Sequence, residues 1–227
     1  MSRVVPGVAM GFAAVFIAAR AAAQTSGFER YESDTAASRV TVQGTSTVHH
    51  WMVEGRVIQG SLILSESDRV LLWTNTDSAS VALTPTVHVE IPVASLKSGK
   101  RGMDETMQTA LKAQAHPTIA YHLEAAKPQT VPPEDGPGGT VTIETRGVLM
   151  VAGAERTVDV PMRVKRLSHD ALEVSGETAL RMTDFGVDPP AAMLGMLRTG
   201  DTVHVHWTWV LARRQPADDE TRKTPAP

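Results

Sequence analysis

Residues 91–123 read IPVASLKSGKRGMDETMQTALKAQAHPTIAYHL, and this stretch decides the fold. An apolar strand runs into a basic turn, then one amphipathic helix, then a second strand opened by His116-Pro117. Met103, Met107 and Leu111 recur at a spacing of four with Ala110 beside them, which makes one helical face apolar. Asp104 and Glu105 fall in the first turn and Lys112 in the last, as the helix dipole favours. Ser98, Gly99 and Gly102 supply the turn before it. His116 precedes a proline and so avoids the helical region, which ends the helix. Ile119, Tyr121 and Leu123 then share one face of a strand. The spacing predicts a helix over about 101–113.

Around this helix the chain alternates with a period of two. Val87, Val89 and Ile91 fall on one side of a strand that Pro85 should kink, making it an edge or a bulge. GSLIL (60–64) and VLLWT (70–74) are short apolar runs, and KPQTVPPEDGPGG (127–139) is a Pro/Gly loop. Val141, Ile143 and Leu149 alternate up to a hairpin turn expected at Gly153-Ala154-Glu155-Arg156. Val158, Val160, Met162 and Val164 alternate on the return, and Leu172 and Val174 mark another strand. The last strand, expected from Asp201, puts Val203, Val205, Trp207, Trp209 and Leu211 on one face. His204, His206, Thr208 and Val210 take the other. Short strands at hairpin spacing predict an all-β fold, an antiparallel barrel of about eight strands with the helix as plug or lid. The two tryptophans suit either a lumen that wraps a long apolar molecule or a solid core.

Four blocks in order carry a resemblance. They are Gly44-Thr45-Ser46-Thr47-Val48-His49-His50-Trp51, the 91–123 segment, Gly147-Val148-Leu149-Met150-Val151-Ala152-Gly153-Ala154-Glu155-Arg156-Thr157-Val158, and Thr183-Asp184-Phe185-Gly186-Val187-Asp188-Pro189-Pro190. Together, over about 39–211, they resemble the YceI-like family of periplasmic proteins associated with polyisoprenoid lipids. The resemblance implies a lipocalin-like barrel with a long apolar cavity, and ligand binding in place of a reaction. On that reading the ligand-facing residues are His50, Trp51, Val89, Ile91, Met103, Met107, Leu111, Ile119, Tyr121, Leu149, Phe185, Val205, Trp207 and Trp209. Strand alternation sends His49 and His50 to opposite faces, so one of the two faces the ligand. AAMLGML (191–197), with Met193 and Met196, reads as a short helix over the mouth or as core packing. No cofactor is expected; an isoprenoid lipid or quinone would be bound as ligand.

The ends bound the domain. Arg3, the apolar run Val8 to Ala19 and Ala21-Ala22-Ala23 read as a signal peptide over 1–23, cleaved at Ala23/Gln24. That places the protein in the periplasm or outside the cell, with no membrane span after cleavage. Residues 24–38 read as a loosely attached N-terminal extension, 39–212 as the barrel domain, and 213–227 (RRQPADDETRKTPAP) as a disordered polar tail. Hydrophobic residues make up 42% and charged residues 21%, enough for a packed core. Loss of Arg3 and Arg20 takes the formal charge of −3 to about −5, which argues against nucleic acid as partner and leaves no polybasic patch for anionic lipid. With zero cysteines, thiolate chemistry and disulfides are excluded. A homodimer through an exposed edge strand is left open.

Candidate chemistry is sparse, and an enzyme is not expected. His204-x-His206 points two imidazoles the same way, the arrangement a zinc or copper ion would use. His49, His50, His88, His116 or His122 would have to complete that set, and Asp201 falls on the opposite face. Asp184-Phe185-Gly186 matches a kinase motif in letters only and reads as a turn with Gly186 at positive φ. Neither Asp104-Glu105 nor Glu134-Asp135 forms the buried carboxylate pair that acid–base catalysis needs, and no G-x-S-x-G occurs. The rival readings are a metal or redox-associated protein using His204 and His206, and a structural envelope protein with a filled core.

Overall fold

The computed structural model describes residues 27–73, 81–129, 139–192 and 197–214. Twelve strands and two helices follow one another: β1 (Phe28–Ser33), β2 (Arg39–Ser46), β3 (His50–Gly55), β4 (Gln59–Ser65), α1 (Glu66–Trp73), β5 (Thr86–Pro92), β6 (Leu96–Lys97), α2 (Arg101–Ala110), β7 (Thr118–Pro128), β8 (Thr140–Val151), β9 (Ala154–Ser168), β10 (Ala171–Arg181), β11 (Ala191–Ala192) and β12 (Leu197–Arg213). Eight of them close a ring, in the order β1-β4-β5-β7-β8-β9-β10-β12 and back to β1. All these pairings are antiparallel. The barrel anticipated from the alternation is therefore present, with no open edge in the ring.

β12 is the pivot. One side pairs with β10 along its length; the other pairs first with β2, from Thr199 to Thr208, and then with β1, from Leu211 to Arg213. A β2–β3–β6 panel thus carries the wall onward at one end of the barrel. At that end lie α2, the β8–β9 turn and the single-turn helix Met182–Phe185. At the other end α1 packs beneath Arg166, whose guanidinium sits 4.3 Å over the Trp73 ring. Leu211, Val53, Ile58, Leu64 and Leu172 are among the most deeply buried residues, each 2% exposed or less.

Several local expectations are corrected. Residues 24–38 include β1, which pairs with both β4 and β12, so the start of the described chain belongs to the barrel. Val70 to Trp73 belongs to α1. Ser65-Glu66-Ser67-Asp68 is a capping box: the Asp68 carboxylate accepts from the Ser65 N–H at 3.1 Å, and the Ser65 hydroxyl accepts from the Asp68 N–H at 3.1 Å. Pro85 precedes β5 and kinks nothing within it, and β5 is an interior strand between β4 and β7. The β8–β9 turn is centred two residues earlier than expected, on Ala152-Gly153, both at positive φ (52° and 84°), between the paired Val151 and Ala154. β12 begins at Leu197, before Asp201, and Ala191–Ala192 is a short strand paired with it. Arg213 closes β12, and the Arg214 N–H donates to the Arg30 carbonyl at 2.8 Å, so the first two residues assigned to the tail belong with the barrel; 215–227 lie outside the described residues. α2 ends at Ala110, with turns carrying the chain to His116. The leader, Met193, Met196 and the loop over 130–138 lie outside the described residues.

Candidate functional site

The barrel encloses a cavity of about 740 Å³. Residues on alternate positions of nine strands reach it, among them Val87, Val89 and Ile91 from β5, Ile119, Tyr121 and Leu123 from β7, and Val158, Val160, Met162 and Val164 from β9. β12 contributes Val203, Val205, Trp207 and Trp209, the face that alternation assigned to the interior. The choice between lumen and solid core is thereby resolved as both: a packed floor at the α1 end and an open cavity above it. Leu64, Leu72 and Leu83 form part of that floor, each 5% exposed or less.

α2 lies across the other end. Met103, Met107 and Leu111 line the cavity, yet none of the ten residues of α2 is buried. An amphipathic helix with its apolar face half-exposed is looking into open space and not onto a filled core. It is anchored at its start by Asp104, whose carboxylate accepts from the Ser98 N–H at 2.7 Å and the Ser98 hydroxyl at 2.6 Å. These bonds hold the Asp104 carboxyl below the usual carboxylate range. Its far end leans on Phe185, Val187 and Ala152, and Lys112 Nζ donates to the Gly186 carbonyl at 3.3 Å. Gly186 takes φ 63° as expected, capping the single-turn helix.

Three aromatic side chains in the lining lie flat on the wall, each over a glycine of the neighbouring strand. Trp51 covers Gly44, its ladder partner, and Trp207 covers Gly176, its partner in β10; Tyr121 covers Gly147, diagonal to it on β8. A Cβ at any of the three would overlap the ring. The glycines let large rings lie along the wall, which leaves the centre of the lumen empty. Trp51 Nε1 donates to the Thr45 carbonyl at 3.1 Å and Trp209 Nε1 to Ser33 Oγ at 2.7 Å, so both indoles satisfy their one donor.

Polar groups within the cavity are few. Thr145 Oγ1 donates to the Val160 carbonyl at 2.6 Å and accepts from the Tyr121 hydroxyl at 3.5 Å. Burial pushes the Tyr121 phenol up, so it stays neutral. Charge collects at the rim beside α2, where Lys100, Arg181 and Arg198 join His49 and Ser46 in the lining. Arg181 forms a two-pronged pair with Asp184, at 2.6 and 3.2 Å, which raises the guanidinium and holds the carboxyl low.

The expected ligand-facing residues all line this cavity except His50. His50 is exposed on the far side of β3, and its neighbour His49 stands at the rim, held in a turn whose Ser46 hydroxyl accepts from the His49 N–H at 3.2 Å. His204 and His206 face away from the lumen. His206 Nδ1 lies 3.1 Å from Glu177 Oε2 on β10, a partner invisible without the ladder register. Among the described residues no group of three or more His, Asp or Glu is placed to hold a metal ion, nor is any helix long and apolar enough to cross a membrane.

A closed eight-stranded barrel with an apolar lumen, a helix over its mouth and a polar rim defines a lipocalin-like class of β-barrel. Within that class the chain belongs to the YceI-like domain family, whose model matches residues 31–211. Solved structures share the fold. A polyisoprenoid-binding domain from Saccharophagus degradans, implicated in plant cell wall breakdown, superimposes with a TM-score of 0.60 at 14% identity, covering 81% of this chain and 98% of that one. BcnA of Burkholderia cenocepacia superimposes with a TM-score of 0.59 at 15% identity, covering 78% of this chain and 98% of that one. Among curated proteins none matches the sequence.

Proposed function

We propose that the protein binds a long-chain amphiphile, isoprenoid-like in its tail, with the tail inside the barrel and the polar head at the α2 rim. One observation carries this reading: the cavity of about 740 Å³ is lined almost wholly by apolar side chains and has its cationic groups confined to one mouth. That volume is within the range of small-molecule sites, about 300–1,000 Å³. Each buried methylene contributes about 0.8 kcal/mol, so a long tail binds without matched polar contacts inside. The Saccharophagus relative, named for polyisoprenoid binding, supports the ligand class. A binding protein without a reaction of its own is the companion proposal. The reading extends to an exported protein, cut after Ala23 and working in the periplasm or outside the cell.

Titration with an isoprenoid quinone tests it, because Trp51, Trp207 and Trp209 line the cavity and a quinone quenches indole fluorescence. Saturable quenching, weakened in a folded Met107→Glu variant, is expected. Linear, non-saturating quenching identical in both proteins would refute it. Export is tested separately, by N-terminal sequencing of the protein from a periplasmic fraction: a start at Gln24 is expected, and an intact Met1 would refute it.

A further inference from the structure

The outer wall of the barrel holds a histidine pair that sequence spacing does not reveal. His88 on β5 and His122 on β7 are ladder partners. Each lies between two residues that line the cavity, so both rings are on the outside. Their Nδ1 atoms are 3.2 Å apart, with ring centroids at 4.4 Å and a tilt of 33°. On the same outer face His88 Nε2 is 3.1 Å from Glu90 Oε1.

We propose that His88 and His122 are two ligands of a divalent transition-metal ion, of the zinc class, on the outer wall of the barrel. Two nitrogens each about 2.0–2.1 Å from one tetrahedral ion stand about 3.3 Å apart, close to the separation seen here. The protonation pattern fits. In the tautomer that lets His88 Nε2–H donate to Glu90, the His88 Nδ1 lone pair faces the His122 Nδ1–H. A metal ion takes the place of that shared proton, which moves by tautomerisation from His122 Nδ1 to His122 Nε2 through solvent, so both imidazoles stay neutral, both Nδ1 lone pairs face the ion and no net proton is released. Glu90 then holds the His88 ring by its other nitrogen, the carboxylate–histidine–metal arrangement that fixes tautomer and orientation. The His88 side chain is 39% exposed, which leaves the rings free to turn and water room to complete the coordination.

His204 and His206 are less suited. Their Cα atoms are two residues apart on one strand, about 6.6 Å, whereas Cβ atoms of cross-strand partners stand about 4.5–5.5 Å apart. His206 is also held by Glu177.

The test is calorimetric titration of the tag-free full chain with Zn²⁺ in a non-chelating buffer. One saturable ion per chain is expected, or one per two chains where copies share it. His88→Gln and His122→Gln should each weaken it at least about tenfold, and Glu90→Gln by about tenfold through the lost orientation. A His204→Gln/His206→Gln double variant should bind as the parent does. The proposal is overturned by the absence of saturable uptake at millimolar Zn²⁺. Parent-like affinity in a folded His122→Gln chain, or loss of binding only in the double variant, would overturn it equally. Quinone uptake, read in parallel, should be unchanged in all these variants, which separates this site from the cavity.

Discussion

Trp207 stands directly opposite Gly176 in the β10–β12 ladder, and its ring fills the space that a side chain at 176 would need. The pair keeps an indole flat on the wall and so helps set the bore of the lumen. Gly176→Val should turn that ring toward the centre. Overpacking of this kind costs about 1–3 kcal/mol, so the variant should fold with a lowered melting temperature. Its uptake of a long-chain ligand should fall sharply, and Gly176→Ala should fall between it and the parent. Thermal melts and ligand titration of the three proteins check this; undiminished uptake by the valine variant would show that the ring's position does not define the cavity.

Ser33 tethers the same strand to β1. Its hydroxyl accepts from Trp209 Nε1 and donates to the Gly60 carbonyl at 3.2 Å, joining β12, β1 and β4. Ser33→Ala strands the buried indole donor, at a cost of about 1–3 kcal/mol. Chemical denaturation should show that loss, and Trp209→Phe in the Ser33→Ala background should recover part of it.

Asp68 is 2% exposed and accepts from the Ser65 N–H, the Ser65 hydroxyl at 2.6 Å and the Thr84 N–H at 2.8 Å. It ties α1 and the segment before β5 to the floor of the barrel. Asp68→Ala removes three acceptor contacts at once and should destabilise the protein by about 3 kcal/mol or more. Hydrogen exchange should rise first at α1 and at Thr84. A uniform rise across all strands would contradict a local anchoring role.

Tyr31 supplies a pH dependence. Burial, with Glu29 accepting its proton at 2.8 Å and adding negative charge, pushes the phenol from 10.0 up to about 12. Between those values the folded protein holds a proton that the unfolded chain releases. The stability this represents is complete below pH 10 and is lost as pH rises through about 12. Denaturation midpoints measured from pH 9 upward should fall across that window, and Tyr31→Phe should flatten the fall.

The barrel was legible because its strands have a period of two and its interior face is apolar over long runs. Val203 to Leu211 and Val158 to Val164 state their inward face in one dimension, and the Met103, Met107, Leu111 spacing states the lid. What was missed depends on register across strands or on short local devices. α1 is announced by the Ser65–Asp68 capping box, a signal present in the letters but overridden by the apolar run that follows. β1 is too short and polar to declare itself; only pairing with β4 and β12 makes it a strand. The exchange of His49 for His50 follows from alternation along β3: Trp51 faces the cavity as expected, so its neighbour His50 must face outward. Gly44 and Trp51 meet within one hairpin whose register must be known, while the Gly147–Tyr121, Gly176–Trp207 and His88–His122 pairs join residues far apart in the chain, which nothing in local spacing brings together.

The most direct measurement of the central claim is native mass spectrometry, with organic extraction, of the protein purified from a periplasm. The account predicts a bound apolar adduct that extracts into solvent and that rebinds when an isoprenoid quinone is returned. A clean apo mass, unchanged by added quinone in a folded protein, would contradict a lipid-holding lumen.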